Sequence, residues 1–138
     1  MLTQANAGLI GPTTFGGPTP SLQEFTDFFR QADDAGLHSL WLIDRVFHEN
    51  VVFDPMTILT YAASVTSRIR LATGVFLFVL RNPVLVAKAT ATLDYLSGGR
   101  LTLGVSLGGR DFEFQGLGVP ITERVGRLRE GLDLMRRL

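Results

Sequence analysis

The chain has 138 residues, of which 46% are hydrophobic and 19% are charged, and its formal net charge is zero. This composition predicts one globular unit with a substantial core, and the lack of a basic excess argues against nucleic-acid or membrane partners. The chain contains no cysteine, which excludes disulfides, thiolate nucleophiles and cysteine-ligated zinc. The amino-terminal segment lacks the pattern of a leader, and no apolar run reaches the roughly 18 residues of a membrane span, so we expect a cytoplasmic protein.

Strand patterns alternate with helix patterns along the chain. Strands are predicted at residues 7–10, 39–43, within 69–80, and at 101–105. Helices are predicted at residues 21–36, 54–66, 82–97 and from 122 to the chain end. The helix starts are marked by a capping box of Ser21 with Glu24 and by first-turn prolines at Pro55 and Pro83. Residues 44–53 and 108–118 are predicted to be loops.

The strands are apolar on both faces, which predicts a parallel α/β sheet that helices cover. Two architectures fit this order of elements: an open doubly wound sheet, or the first half of a (β/α)8 barrel. A barrel typically takes about 250 residues, so this chain would supply about four of its βα units.

Four segments together carry a family resemblance: AGLHSLWLID (35–44), DPMTILTYAASVTSRIRLATGV (54–75), RNPVLVAKATATLDYLSGGRLTLGVSLGG (81–109) and EFQGLGVPITERVGRLREGLDLMRRL (113–138). The chain resembles the N-terminal half of the bacterial luciferase-like monooxygenase family, which includes flavin-dependent monooxygenases and deazaflavin-dependent oxidoreductases. The resemblance implies a TIM-type (β/α)8 barrel, of which residues 1–138 form the N-terminal part of one domain, here a half-barrel.

The resemblance also implies a flavin-type oxidoreductase that acts on a small-molecule substrate without a metal. TSRIRLATGV and LSGGRLTLGV favour a deazaflavin coenzyme of the F-420 type and hydride transfer, and an FMN-dependent monooxygenase is the alternative. A third interpretation is a truncated, non-catalytic half-barrel that acts through self-association or partner binding, because a half-barrel has two open sheet edges. Those edges also predict a homo-oligomer. An unrelated metal-dependent barrel hydrolase is disfavoured, since the two histidines form no ligand set.

Active sites of barrel enzymes lie at the carboxyl ends of the strands. The resemblance implies that Asp44, after the second predicted strand, contacts the cofactor; its alternative role is that of a turn residue. Arg45 replaces a histidine of related deazaflavin enzymes that lies near the substrate. Because arginine stays charged, it would stabilise an anion, unless it is a surface residue. His48 could supply acid–base chemistry in its place, or be a solvated loop residue.

Two further strand ends complete the predicted site. The resemblance implies a non-prolyl cis peptide at Gly74-Val75 that supports the back of the ring, and glycine permits such backbone. Ser106 falls where bacterial luciferase has a reactive cysteine, and its hydroxyl can hydrogen-bond a ring atom instead. Glu113 also resembles a family position just before the last helix. The stronger alternative is a carboxylate near a helix N-terminus, or one that is paired with an arginine such as Arg100 or Arg110.

Overall fold

A computed structural model describes residues 7–137; most of the amino-terminal segment used for the leader prediction, and Leu138, lie outside these described residues. The strands are β1 (Gly8–Gly11), β2 (Thr14–Phe15), β3 (Ser39–Leu42), β4 (Val51–Val52), β5 (Arg70–Phe76) and β6 (Leu101–Val105). The helices are α1 (Leu22–Asp34), α2 (Pro55–Val65), α3 (Pro83–Ser97), α4 (Asp111–Gly116) and α5 (Arg124–Met135). Short 3-10 turns occupy Phe78–Leu80 and Ile121–Glu123.

Four of the strands form one parallel sheet in the order β1-β3-β5-β6. This order follows the chain without a reversal, as in a barrel, whereas a doubly wound sheet reverses at a switch point. The helices also neighbour one another in chain order, with α1 on α2, α2 on α3, and α3 on α5. The predicted parallel α/β class is therefore confirmed, and the arrangement is that of half a barrel.

Three of the four predicted helix starts are confirmed by their hydrogen bonds. The Ser21 hydroxyl accepts from the Glu24 N–H at 3.2 Å, and the Glu24 carboxylate accepts from the Ser21 N–H at 2.7 Å, which completes the capping box. The carboxylate of Asp54 caps α2, and the side-chain oxygen of Asn82 caps α3. Each cap satisfies backbone donors that the first helical turn leaves unpaired.

Three details differ from the sequence-based expectation. The predicted loop 44–53 contains β4, which pairs antiparallel with β2. The sequence did not reveal this pairing, because the two segments meet only in the folded chain. The predicted loop 108–118 contains the short helix α4, which is held by the burial of Glu113 and Phe114. The last helix begins at Arg124, since Thr122 lies within a 3-10 turn and provides no cap.

The main core lies between the helices and the outward face of the sheet. Its fully buried side chains include Phe29 from α1, Leu40 and Leu42 from β3, Leu59 from α2 and Leu71 from β5. Burying each such side chain contributes about 1.5–3 kcal/mol, so this layer fixes the sheet against the helices. Within residues 7–137, no helix has both the length and the apolar character needed to cross a bilayer, and a cytoplasmic location stays a prediction.

Strands β5 and β6 approach closely just before the strand ends. The Thr73 hydroxyl donates to the Gly104 carbonyl oxygen at 2.9 Å, and a Cβ on Gly104 would lie 2.3 Å from the Thr73 carbonyl oxygen. Thr73 pairs with Leu103 and Phe76 with Val105, so two residues of β5 face a single residue of β6. The extra residue makes a β-bulge, and it re-aims the backbone at the carboxyl end of β5.

Candidate functional site

The bulge of β5 lies at the centre of the candidate site. The peptide bond between Gly74 and Val75 is cis, as the family resemblance implied, and the Val75 side chain is 40% exposed. The Asp44 N–H donates to the Val75 carbonyl oxygen at 3.3 Å, and the Ser106 N–H donates to the Phe76 carbonyl oxygen at 3.0 Å. The ends of β3, β5 and β6 thus bring Asp44, Val75 and Ser106 together, as the site prediction required.

The Asp44 carboxylate belongs to an internal ion pair. Its side chain is fully buried, and Oδ2 accepts from the Leu77 N–H at 2.8 Å and from Nη1 of Arg81 at 2.5 Å. The second oxygen accepts from Nη2 of Arg81 at 3.0 Å. A bidentate pair of this kind combines two charge-assisted hydrogen bonds. The carboxylate therefore faces Arg81 and Leu77, and its predicted contact with a cofactor stays a prediction.

Arg81 is a residue of this site that sequence reasoning did not identify. Its guanidinium lies 4.1 Å from the centroid of the Phe76 ring and donates to the Leu77 carbonyl oxygen at 3.1 Å. Asp54 provides a second carboxylate at 3.5 Å. The only signal in the sequence is an arginine placed directly before the Asn-Pro start of a helix, and nothing there names Asp44 as its partner.

Arg45 and His48 line the same cavity, of about 410 Å³, at the carboxyl ends of β1 and β3. The apolar residues Ile10 and Ile43 and the buried Thr13 also line it. The His48 imidazole accepts from the Asn50 N–H at Nδ1 over 3.1 Å, so a neutral ring carries its proton on Nε2. The structure therefore brings Arg45 and His48 together in one cavity at the ends of β1 and β3.

Glu113 has a different partner from those expected. Its side chain is 2% exposed, and Oε1 accepts from the Val46 N–H at 3.1 Å, so α4 holds the loop that carries Arg45. A pairing with Arg100 is wrong, because that guanidinium instead donates to backbone carbonyl oxygens at the end of α2 and the start of β5. Burial lowers the pKa of the Arg100 guanidinium, and the negative charge of Asp33 opposes this lowering.

Within residues 7–137, the Ser106 hydroxyl donates to no acceptor. Its hydroxyl oxygen accepts from the Gly108 N–H at 3.3 Å, which leaves the hydroxyl proton available for a ligand. Gly108 has φ of +62°, a backbone conformation that favours glycine, and this turn carries the chain away from the strand end. The polar hydroxyl thus lies beside the apolar surface of the bulge.

This arrangement fits a flat ring with an apolar face and a polar edge. Val75 and Ile43, each 40% exposed, offer apolar surface at the carboxyl end of the sheet. The Ser106 hydroxyl can donate a hydrogen bond, and the Arg45 guanidinium supplies positive charge beside that surface. Among residues 7–137, no group of three His, Cys, Asp or Glu side chains could hold a metal ion.

Comparison with known proteins decides the family. The family model described as luciferase-like monooxygenase matches residues 2–138. The chain belongs to the luciferase-like monooxygenase family. This membership agrees with the parallel half-barrel and with the cis peptide at the end of β5.

Two relatives show how this luciferase-like chain compares in sequence. An uncharacterised Mycobacterium tuberculosis protein is 49% identical over 85 residues, which cover 62% of this chain and 30% of the relative. The F420-dependent glucose-6-phosphate dehydrogenase of Kineococcus radiotolerans is 36% identical over 122 residues, covering 83% of this chain and 36% of the relative. The chain thus spans about a third of the length of the curated relatives that it matches.

Two solved structures show the same fold. Monooxygenase RslO1 from Streptomyces bottropensis superimposes with a TM-score of 0.77 at 34% identity, covering 83% of this chain and 36% of the other. The oxygenating constituent of 3,6-diketocamphane monooxygenase from Pseudomonas putida, solved with FMN, gives a TM-score of 0.82 at 24% identity. This second match covers 94% of this chain and 38% of the other, and it shows the fold alone.

Proposed function

We propose that this chain is the N-terminal part of one luciferase-like barrel domain, and that it binds a deazaflavin coenzyme for hydride transfer with a small-molecule substrate. The observation that carries the proposal is the convergence of Asp44, Val75 and Ser106 at the carboxyl ends of three adjacent strands. The F420-dependent relative from Kineococcus radiotolerans supports the deazaflavin assignment.

Each residue of the site has a distinct part in this proposal. Val75 packs against one face of the ring, and the Ser106 hydroxyl donates to a polar atom at the ring edge. Asp44, with its carboxylate held inside, contributes through its hydrogen bond to the Val75 carbonyl oxygen. Arg45 and His48 face the substrate across their shared cavity, where the arginine stabilises negative charge and His48 Nε2 exchanges a proton. The bound coenzyme supplies the hydride chemistry, and the protein supplies binding and orientation.

An FMN-dependent monooxygenase is the alternative within the family. The similarity to monooxygenase RslO1, at 34% identity, supports it. The same apolar surface and hydroxyl would hold either ring, because deazaflavin and flavin share a flat tricyclic shape.

The alternative outside the enzymes is a non-catalytic half-barrel that self-associates. Self-association would also produce the proposed homo-oligomer. In the described residues, β1 and β6 each pair on one side only, which leaves an open edge on both sides of the sheet. An outer cavity of about 530 Å³, lined by residues of α3, β6 and Met135, lies beside the edge of β6. Open edges and uncovered apolar surface favour pairing with another chain.

Fluorescence titration with reduced and oxidised deazaflavin and FMN tests the proposal. We expect saturable binding of one ring by the wild type. Val75→Asp should weaken that binding at least about tenfold, because it places a charge against the apolar ring face.

Leu96→Asp is the matched control, since Leu96 is 61% exposed in the last turn of α3, at the opposite end of the strands. It should leave the affinity unchanged. Deazaflavin binding without FMN binding supports hydride transfer, and the reverse supports the monooxygenase. If neither ring binds while sedimentation shows a dimer, the proposed oxidoreductase is contradicted and the self-associating half-barrel is supported.

A further inference from the structure

Arg81 connects two strand ends of the site. It begins the turn into α3, yet its guanidinium contacts the carboxylate of Asp44 after β3, and the ring of Phe76 at the end of β5. Its side chain is 23% exposed, whereas that of Asp44 is fully buried. A buried carboxylate without its cation is strongly unfavourable, so the two side chains hold each other in place.

The pair binds both backbone polar groups of a single residue, Leu77. The Leu77 N–H donates to the Asp44 carboxylate at 2.8 Å, and the Leu77 carbonyl oxygen accepts from Arg81 at 3.1 Å. Leu77 comes directly after the last residue of β5, so the pair fixes the chain on the downstream side of the bulge. On the upstream side, the Thr73 hydroxyl is bound to the Gly104 carbonyl oxygen.

The bulge at Gly74 and Val75 is therefore held at both ends by side-chain hydrogen bonds. We propose that Arg81 is a positioning residue, which acts through Asp44, Phe76 and Leu77 to hold Val75 in the orientation that receives the flavin-type ring. This inference rests on the proposed function. It predicts that Arg81 affects ring binding without touching the ring.

Arg127 provides a matched control. It is a half-buried arginine whose Nε donates to the Val79 carbonyl oxygen at 2.9 Å, in the 3-10 turn that directly follows Leu77. It has no contact with Asp44 among the hydrogen bonds and ion pairs of the described residues. Arg127→Lys therefore measures the effect of replacing an arginine that only supports this turn.

The experiment compares Arg81→Lys with Arg127→Lys by two readouts. The first is amide hydrogen exchange, resolved by residue in the absence of any ring. In Arg81→Lys we expect exchange at Leu77 to rise at least about tenfold relative to Leu71, because lysine keeps the charge but loses the bidentate geometry. The second readout is the absorbance spectrum and affinity of bound deazaflavin or FMN, where we expect a shifted spectrum and about tenfold weaker binding. Arg127→Lys should change neither readout.

Equal effects of the two variants on both readouts would overturn the positioning role, and so would faster exchange at Leu77 with unchanged ring binding. If the wild type binds neither ring, the proposed function fails, and exchange alone decides whether Arg81 holds the bulge: a local rise at Leu77 supports this, and a uniform rise contradicts it. If Arg81→Lys does not fold, Asp44→Asn replaces it. That variant keeps an acceptor for the Leu77 N–H while removing the charge that orients Arg81, and the same outcomes apply.

Discussion

Replacing Asp33 with alanine is expected to lower the free energy of unfolding by about 2–4 kcal/mol, because it leaves three backbone donors without their acceptor, and that of Ile69 is buried. Asp33 lies in the last turn of α1 and is buried. One carboxylate oxygen accepts from the Ser67 N–H at 2.9 Å, and the other accepts from the N–H groups of Arg68, at 3.0 Å, and Ile69, at 2.6 Å. These residues join α2 to β5, so Asp33 fixes the entry to the central strand. Urea denaturation measures the loss.

The neighbouring Asp34 is the control for this prediction. Its side chain is 81% exposed, and it makes only an exposed ion pair with Arg68 at 3.4 Å. Asp34→Ala should change stability by less than about 1 kcal/mol. Similar losses in the two variants would show that the buried hydrogen bonds of Asp33 do not stabilise the fold.

The same carboxylate predicts a dependence of stability on pH. Burial raises the pKa of Asp33, but the N–H groups of Ser67, Ile69 and Arg68 outweigh it, so the pKa lies below the ordinary value. The unfolded chain therefore takes up the proton first as the pH falls. The contribution of Asp33 is complete above the unfolded pKa of about 3.9 and is lost as the pH falls through the lower folded pKa. In urea titrations below about pH 4, Asp33→Asn should reduce the loss of unfolding free energy as the pH falls. An unchanged dependence of that free energy on pH would contradict the role given to Asp33.

Replacing Asp44 with alanine is expected to cost about 3–5 kcal/mol, because it removes one partner of a buried ion pair. The N–H of Leu77 would lose its acceptor, and the guanidinium of Arg81 would lose its bidentate partner. The double variant Asp44→Ala/Arg81→Met, which removes both charges, should recover at least about 1 kcal/mol of that loss. A thermal or urea melt gives both values. A cost below about 1 kcal/mol for Asp44→Ala would show that the pair is solvated. It would also show that the pair holds the backbone of Leu77 only weakly.

The fold was largely predictable because its signals are local. The capping box of Ser21 and Glu24 and the Asn-Pro start of α3 each act within one turn of chain, and both are present in the structure. The assignment of β3 and β5 as strands required only the count of apolar residues in a row. The placement of the site at the strand ends then followed from the barrel topology.

The remainder depends on contacts between distant parts of the chain. The pairing of β2 with β4 joins residues that are far apart in the sequence, such as Thr14 and Val52, so no local pattern reveals it. Asp44 and Arg81 are 37 residues apart. From the sequence, Asp44 was expected to contact a cofactor. Only the folded chain shows that Arg81 binds both oxygens of its carboxylate. Glu113 does lie in the first turn of a helix, as one alternative expected, but its acceptor role toward Val46 depends on the position of α4.

The central claim is that three adjacent strand ends form the surface on which a flavin-type ring lies. Backbone amide NMR shifts of the isotope-labelled chain, recorded as deazaflavin or FMN is added, test it most directly. We expect the largest shifts at Ile43, Val75 and Ser106, with no comparable change at Tyr95, which is 85% exposed at the far end of α3. Shifts centred on the outer surface of α3, or spread evenly over the chain, would contradict the claim.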